Sequence, residues 1–378
     1  MKSRAPARLA ITLVGALRHL LRRRLAARPP QPKRILIAHQ LLLGDTIMLT
    51  PLIAKLRRNH PAAEICLLVA PAYAPLYAGR PYGATALPFD PRSLASVMAL
   101  IRAGGYRGYD WALLPTENRM GWLARACGAR WIAAFDGEPG RYKNFPIDEF
   151  RPFARQPKAW GELAAELADG AAPPPYRPID WPAPPARAFP LPPAPYALLH
   201  VGASTPLKQW PPERWRQLAE WFAARNIAAA LSCGRGEERL IEAIDPHGTF
   251  PRYAGDIDLA QMWQLLASAR LVVCPDTGIT HIAHLAGTPS VVLYGPGNPA
   301  LFGGGEFWRG HREEVLFEAN FPCRDENVIF RRRLPWGEHC GRTPKACRLA
   351  RCMDVLSLVD AMAACARLLS AAAPEGGE

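Results

Sequence analysis

From Met1 to Gly44 the chain has no aspartate and no glutamate, while Lys2, Arg4, Arg8, Arg18, Arg22, Arg23, Arg24, Arg28, Lys33 and Arg34 are all basic. That imbalance asks for an anionic partner. The apolar stretch inside it, Leu9 to Leu21, falls short of the about 20 apolar residues that a membrane span requires, so it does not cross a bilayer. A cleaved export signal fits poorly, because Arg22-Arg23-Arg24 follows the apolar core directly and a small-x-small cleavage site is poor. No recognised nucleic-acid reader motif accompanies the charge, which argues against sequence-specific nucleic-acid binding. The nine cysteines include no Cys-x-x-Cys knuckle, and Cys66, Cys233 and Cys274 fall within apolar runs as small hydrophobes. This usage suits a cytoplasmic protein better than a secreted one.

What remains is a leader, residues 1–32, that reads as a basic amphipathic helix. Leu9, Leu13, Ala16, Leu17, Leu20 and Leu21 would share one side with arginines clustered beyond, the pattern of a segment lying on an anionic membrane surface. A solvated basic tail is the plainer alternative. The chain of 378 residues is long enough for two cores, and its 40 prolines are about twice the usual share. Many of them crowd residues 171–195, which read as a semi-rigid linker because proline fixes φ and removes a donor.

On either side of that linker, strands alternate with helices. Arg34 to His39, Ile65 to Val69 and Trp111 to Pro115 read as strands of one half, with a helix ending near Arg58 and another over Leu94 to Ala103. The pattern restarts with strand Tyr196 to Val201, helix Pro212 to Arg225, strand Ala228 to Ser232 and helix Glu237 to Ile244. Asp258-Leu259-Ala260-Gln261 has the form of a capping box. The fold class is α/β, with Rossmann-like domains over 33–170 and 196–355, a cleft between them, and a C-terminal helix and tail over 356–378.

Within the second domain, Asp276-Thr277-Gly278-Ile279-Thr280-His281 lies between the apolar runs Leu271 to Cys274 and Ser290 to Tyr294, so it forms the turn and helix of a βαβ unit. Its polar residues sit where a strand's carboxyl end meets a helix N-terminus, a place suited to phosphate. Gly278 admits close approach of a ligand to the backbone, and Thr277 and His281 share a helical face. Asp276 and Thr277 as ordinary helix caps are the plainer reading.

Three further polar clusters follow strands: Leu43-Gly44-Asp45-Thr46, Gly202-Ala203-Ser204-Thr205-Pro206-Leu207-Lys208-Gln209-Trp210, and Gly234-Arg235-Gly236-Glu237. In this order, with Gly287-Thr288-Pro289 and Tyr294-Gly295-Pro296, they resemble glycosyltransferase family 9, the ADP-heptose:lipopolysaccharide heptosyltransferases, from about Lys33 to Met353. The resemblance implies the GT-B fold of two facing Rossmann-like domains and inverting transfer with neither metal nor other cofactor. It also implies a nucleotide-sugar donor, ADP-heptose first among them, and a glycolipid acceptor at the cytoplasmic face of the inner membrane. It makes Asp45 the base and Lys208 the group that meets the departing diphosphate. Gly202, Ser204, Glu237, Asp276, Thr277, Gly278 and His281 would complete the donor site, and Gly44 and Arg119 would meet the acceptor. Asp45 as cap of a helix beginning at Thr46 is compatible with that role. A GT-B nucleotide-sugar epimerase, or a homologue that binds without turnover, shares these features.

The chain departs from the family at His39, Gln40, Leu41, Leu42 and Leu43, where members carry basic and small polar residues, and at His284, where alanine is frequent. Cys323, Cys340, Cys347 and Cys352 beside His339 leave reduced thiols, a zinc site and a disulfide open. Arg331-Arg332-Arg333 reads as additional membrane-facing charge.

Overall fold

A computed structural model describes residues 5–21, 27–104, 108–153 and 156–370. Lys2, Arg4, Arg22-Arg23-Arg24 and the tail from 371 onward lie outside the described residues. The chain forms two compact units, one of Met1–Pro174 with Asp180–Pro182 and Val328–Trp336, the other of Pro175–Ile179, Ala183–Asn327 and Gly337–Glu378.

In the first unit, helix α1 (Ala5–Leu21) precedes β1 (Arg34–Ile37), α2 (Leu43–Ile47), α3 (Thr50–Asn59), β2 (Glu64–Val69), β3 (Thr85–Pro88) and α4 (Leu94–Gly104). After these come β4 (Tyr109–Leu114), α5 (Met120–Ala126), β5 (Ala129–Phe135), α6 (Arg141–Asn144), β6 (Glu149–Arg151) and α7 (Trp160–Ala165). The six strands run parallel in the order β3-β2-β1-β4-β5-β6. Ile35 sits opposite Ile65 on one side and Trp111 on the other. Strands covered on both faces need apolar residues throughout, and Ile35, Leu36 and Ile37 are completely buried. The single helix expected up to Arg58 is instead two, because Pro51 offers no N–H to carry a hydrogen-bond ladder through from α2; it stands in the first turn of α3, where none is needed.

The second unit repeats the plan with β7 (Tyr196–His200), α8 (Pro212–Ala223), β8 (Ala228–Cys233), α9 (Glu238–Ile244), β9 (Arg252–Ala254) and α10 (Leu259–Ala267). It continues through β10 (Leu271–Pro275), α11 (Gly278–Ala286), β11 (Ser290–Tyr294), α12 (Pro299–Phe302), β12 (Glu313–Phe317), α13 (Arg351–Asp354) and α14 (Leu358–Ser370). Its parallel strands take the order β12-β11-β10-β7-β8-β9. One core joins Leu199, Leu231 and Val273 of the sheet to Trp215, Leu218 and Phe222 of α8 and to Ala361, Ala364 and Cys365 of α14. The capping box read at Asp258 is present, with the carboxylate accepting the N–H groups of Ala260 and Gln261 at 2.9 Å each.

The proline-rich segment is pinned by two aromatic residues. The Tyr176 hydroxyl donates to Leu285 O at 2.7 Å in the second unit, and the Trp181 indole donates to Leu76 O at 2.9 Å in the first. A short 3-10 turn, Pro178–Asp180, lies between them.

A hairpin, β13 (Val328–Ile329) and β14 (Arg332–Arg333), returns from late in the sequence to the first unit. It corrects the reading of the arginine run as surface charge, since Arg332 is 1% exposed whereas Arg331 and Arg333 are exposed. Side chains alternate across a strand, and the inward one donates to Thr116 O, Asn118 Oδ1, Phe135 O and Asp136 O at 2.6–3.0 Å. Burial lowers its pKa to about 10, which leaves it charged at neutral pH.

Candidate active site

Strand order reverses between β7 and β10 in the second sheet and between β1 and β4 in the first. Loops leaving adjacent strands on opposite faces open a crevice at their carboxyl ends, the usual ligand position in such sheets. Each of the expected clusters beside Asp276 and Asp45 occupies one of these places.

After β7 the chain runs through Gly202 and Ala203 to a 3-10 turn, Pro206–Lys208, entered at Thr205, whose hydroxyl accepts the Leu207 N–H at 3.4 Å. Trp210 anchors the turn by donating its indole N–H to Leu356 O at 2.8 Å from a buried position. Lys208 is thereby held against the turn after β10, where its Nζ donates to Asp276 Oδ2 at 2.8 Å and to the Asp276 carbonyl at 2.7 Å. Thr277 is the N-cap of α11 in a capping box with Thr280 and its hydroxyl accepts the Ile279 N–H at 3.4 Å, so the N-terminus of that helix lies beside the ion pair. A cation and a helix N-terminus together are what a diphosphate needs.

Glu237 accepts the N–H groups of Ala203 at 3.0 Å and Gly234 at 2.8 Å, tying the loops after β7 and β8 together. Gly202 permits this, since a Cβ there would lie 2.3 Å from Glu237 Oε2. Ser204 is exposed on the same rim, while the neighbouring Glu238 accepts the Gly236 N–H at 2.8 Å. Two residues outside the expected set support the arrangement. Arg324 is buried and donates to Gly295 O at 2.7 and 3.0 Å, and Asn298 caps α12 by accepting the Ala300 N–H at 2.9 Å. Asn298 is legible as a cap before Pro299, but nothing local marks Arg324 as the brace of a distant turn.

His281 and His284 are buried on α11, their ring centroids 5.5 Å apart. His284 Nε2 lies 2.6 Å from Glu313 Oε2, and His311 Nε2 lies 3.0 Å from Ser290 Oγ. Burial drives the pKa of all three histidines down to about 3, and it raises that of Glu313. Ligand atoms of His284, His311 and Glu313 fall within 4.8 Å of one another, so these are the side chains among the described residues able to hold a metal ion; here they bond to each other and to Ser290. The sequence contains an Asp-x-Asp, Asp256-Ile257-Asp258, but its second carboxylate is occupied in capping α10.

This cluster, together with buried His39 and His200, whose pKa values burial lowers to about 3 and about 4, sets an acid limit. Below pH 6.5 the unfolded histidines bind protons that the folded ones refuse until about pH 3, or about pH 4 for His200, so stability falls as pH drops through that window. The slope approaches about 1.4 kcal/mol per pH unit for each histidine. Glu313 offsets part of it, because its raised pKa makes the folded state take up a proton first as pH falls. Denaturation measured between about pH 7 and 5 should show the loss, and His311→Asn should flatten it. A slope unchanged in that variant would remove His311 from the account.

In the first unit, Gly44 and Asp45 lie in α2, which begins at Leu43 with Leu42 as N-cap. The expectation that Asp45 caps a helix starting at Thr46 is therefore corrected. The helix starts earlier, because Leu42 O already accepts the Thr46 N–H at 2.9 Å and the Thr46 hydroxyl at 2.8 Å, which places Asp45 in the first turn, half-buried. Tyr73 stands close by, its pKa raised by burial and also by Asp45. His39 is buried with neither ring nitrogen hydrogen-bonded, its pKa lowered to about 3 by burial, and it lines a cavity of about 340 Å³ with Gln40, Leu42, Asp90 and Arg92.

Arg119 follows β4 across the strand-order reversal from Gly44. It pairs with Glu117 and lines a cavity of about 490 Å³ together with Arg8, Gln40, Trp122, Tyr142 and Lys143. All nine cysteines are free, and Cys323 lies beside Cys340, with its pKa raised by burial first and by Cys340 next.

The family model described as Glycosyltransferase family 9 (heptosyltransferase) matches residues 97–329. Lipopolysaccharide heptosyltransferase 1 of Pseudomonas aeruginosa is 27% identical over 316 residues, 77% of this chain and 85% of the relative. Among solved structures, a family 9 glycosyl transferase from Veillonella parvula superposes with a TM-score of 0.68 at 17% identity, covering 89% of this chain and 97% of that one. E. coli heptosyltransferase WaaC with ADP superposes with a TM-score of 0.62 at 20% identity, covering 75% and 92%. The two parallel six-stranded sheets are those of the GT-B class. With a family match over more than half of its length, the chain belongs to glycosyltransferase family 9, the heptosyltransferases, and is a glycosyltransferase.

Proposed function

We propose that this enzyme transfers heptose from ADP-heptose to a lipopolysaccharide-core or related glycolipid, with inversion and without a metal ion, at the cytoplasmic face of the inner membrane. The observation that carries the reading is the pairing of Lys208 with Asp276 at the N-terminus of α11, on the strand-order reversal of the second sheet. The relatives' own activities agree with it: the P. aeruginosa protein is a lipopolysaccharide heptosyltransferase, and WaaC has been solved with ADP.

In this mechanism the acceptor oxygen bonds to the anomeric carbon while the bond from that carbon to the diphosphate oxygen breaks. The hydroxyl proton passes to Asp45 as the oxygen acidifies. The departing ADP carries its new charge to Lys208 and to the Gly278 N–H at the start of α11. Asp276 holds Lys208 ready and His281 packs behind it, while Gly202, Ser204 and Glu237 shape the rim of the donor site. Residues 196–355, apart from the hairpin within Val328–Trp336 that returns to the first unit, form the donor domain and 33–170 the acceptor domain, where Gly44 leaves room beside Asp45 and Arg119 meets an acidic group of the acceptor.

Binding of ADP should stabilise the protein by about 2.7 kcal/mol when ADP is at 100 times its Kd. UDP, GDP and CDP should do less, and Lys208→Ala should remove most of the ADP shift. Equal shifts by all four nucleotides would sink the ADP assignment. An undiminished shift in Lys208→Ala would sink the role of the lysine.

A further inference from the structure

Helix α1 is docked in an unusual sense. Its small residues face the protein: Ala7 is buried in the first unit's core, and Gly15 lies so close to α5 that a Cβ would come 2.5 Å from Trp122 O. His19 is buried against the Phe145 ring at 4.8 Å, and the Thr12 hydroxyl meets that of Tyr142 at 3.1 Å. Its large residues face away. Leu9, Leu13, Leu17, Leu20 and Leu21 are between 57% and 77% exposed. At 3.6 residues per turn they fall within an arc of about 120°, opposite the buried side.

A row of outward leucines exposes apolar surface that a soluble helix would turn inward. Charge decides what covers it. Arg8 and Arg18 are on the same helix, Lys2 and Arg4 precede it in sequence, Arg22-Arg23-Arg24 follow it, and no carboxylate occurs from Met1 to Gly44. A second copy of this helix would meet like charge with like, whereas an anionic leaflet offers hydrocarbon to the leucines and phosphate to the arginines.

We propose that α1 is a membrane-insertion face already folded onto the first unit, and that its five outward leucines enter an anionic leaflet. The inference rests on the glycolipid reading only for which leaflet is met. Because the helix is already docked by Gly15, Thr12 and His19, binding requires no coil-to-helix ordering. Arg8 and Thr12, on the docked side of the same helix and away from the leucines, wall the 490 Å³ cavity that holds Arg119 and Lys143, so insertion of the leucines leaves that cavity clear of the hydrocarbon.

The test is flotation of the full chain with vesicles of phosphatidylcholine and phosphatidylglycerol, against phosphatidylcholine alone, at low and high salt. Wild type should float with the anionic vesicles and weaken as salt screens the arginines. Leu13→Glu/Leu17→Glu should partition at least about tenfold more weakly, and Leu13→Ala/Leu17→Ala should fall between. An unchanged ADP-induced thermal shift in both variants shows that they are folded. Vesicle binding by wild type that both variants retain would overturn the proposal, and so would wild type that ignores the vesicles but is a dimer dispersed by the glutamates. Turnover separates the two readings: variants that act normally on a delipidated acceptor but poorly on one embedded in vesicles support the insertion face. Leucine-dependent binding without turnover on any acceptor would fault the glycolipid reading alone.

Discussion

Asp45→Asn should lower turnover by about 10²- to 10⁴-fold, the range ascribed to a positioned general base, and leave the ADP-induced thermal shift intact. The substitution keeps shape and removes proton affinity. Asp45 is half-buried in the first turn of α2, where its charge also favours the helix by about 0.3–1 kcal/mol. Lost activity cannot be assigned to unfolding if the melting curve of the variant stays close to that of wild type. Asp45→Glu separates chemistry from charge, because it restores a carboxylate displaced by one methylene and should recover part of the turnover. Measurement of kcat at saturating donor and acceptor decides the matter. Turnover within about threefold of wild type in Asp45→Asn would end the base assignment and direct attention to His39, on the same loop, or to Tyr73, on the turn after β2.

The sequence made one side of this machinery legible and hid the other. Apolar runs such as Leu271–Pro275 and Ser290–Tyr294 announce buried parallel strands, and the polar residues that break them sit at strand ends by necessity. The site clusters at Gly202–Lys208 and Asp276–Gly278 could be found in this way. Strands β3, β6 and β9 have only 3–4 residues each, too few to show a period, and β5 has three alanines in seven residues with Arg130 among them, a weak apolar run. Partners distant in sequence left no local mark. Nothing at Glu237 shows that its carboxylate is engaged by Ala203 and Gly234, and nothing in Leu9–Leu21, beyond the outward leucine side already legible, shows that Gly15 and His19 dock the helix onto the first unit.

The largest stability effect should come from such a hidden partner. Arg332→Met should cost the first unit about 3–5 kcal/mol, as expected when one member of a buried ion pair is removed. Glu138 has a fully buried side chain, with Oε2 at 3.6 Å from Arg332 Nη2. Lys143 at 3.0 Å and the Asn118 N–H at 2.6 Å would remain to serve it, but the Thr116 carbonyl would lose its donor in a buried site and the Phe135 carbonyl would keep only the Asn118 amide at 3.4 Å. Methionine fills similar volume, so the effect is that of charge and hydrogen bonds rather than of a cavity. Arg333→Met, one residue away on the exposed side of the same strand, should change stability by no more than about 0.5 kcal/mol. The pair of variants therefore tests the alternation of the hairpin directly by chemical denaturation. Comparable small losses in both would mean that the hairpin does not hold Arg332 inside. The loss should also reach function, because Asn118 precedes Arg119 on the loop after β4, and a loosened loop would raise KM for the acceptor more than for the donor. An increase confined to donor KM would contradict the assignment of Arg119 to the acceptor side.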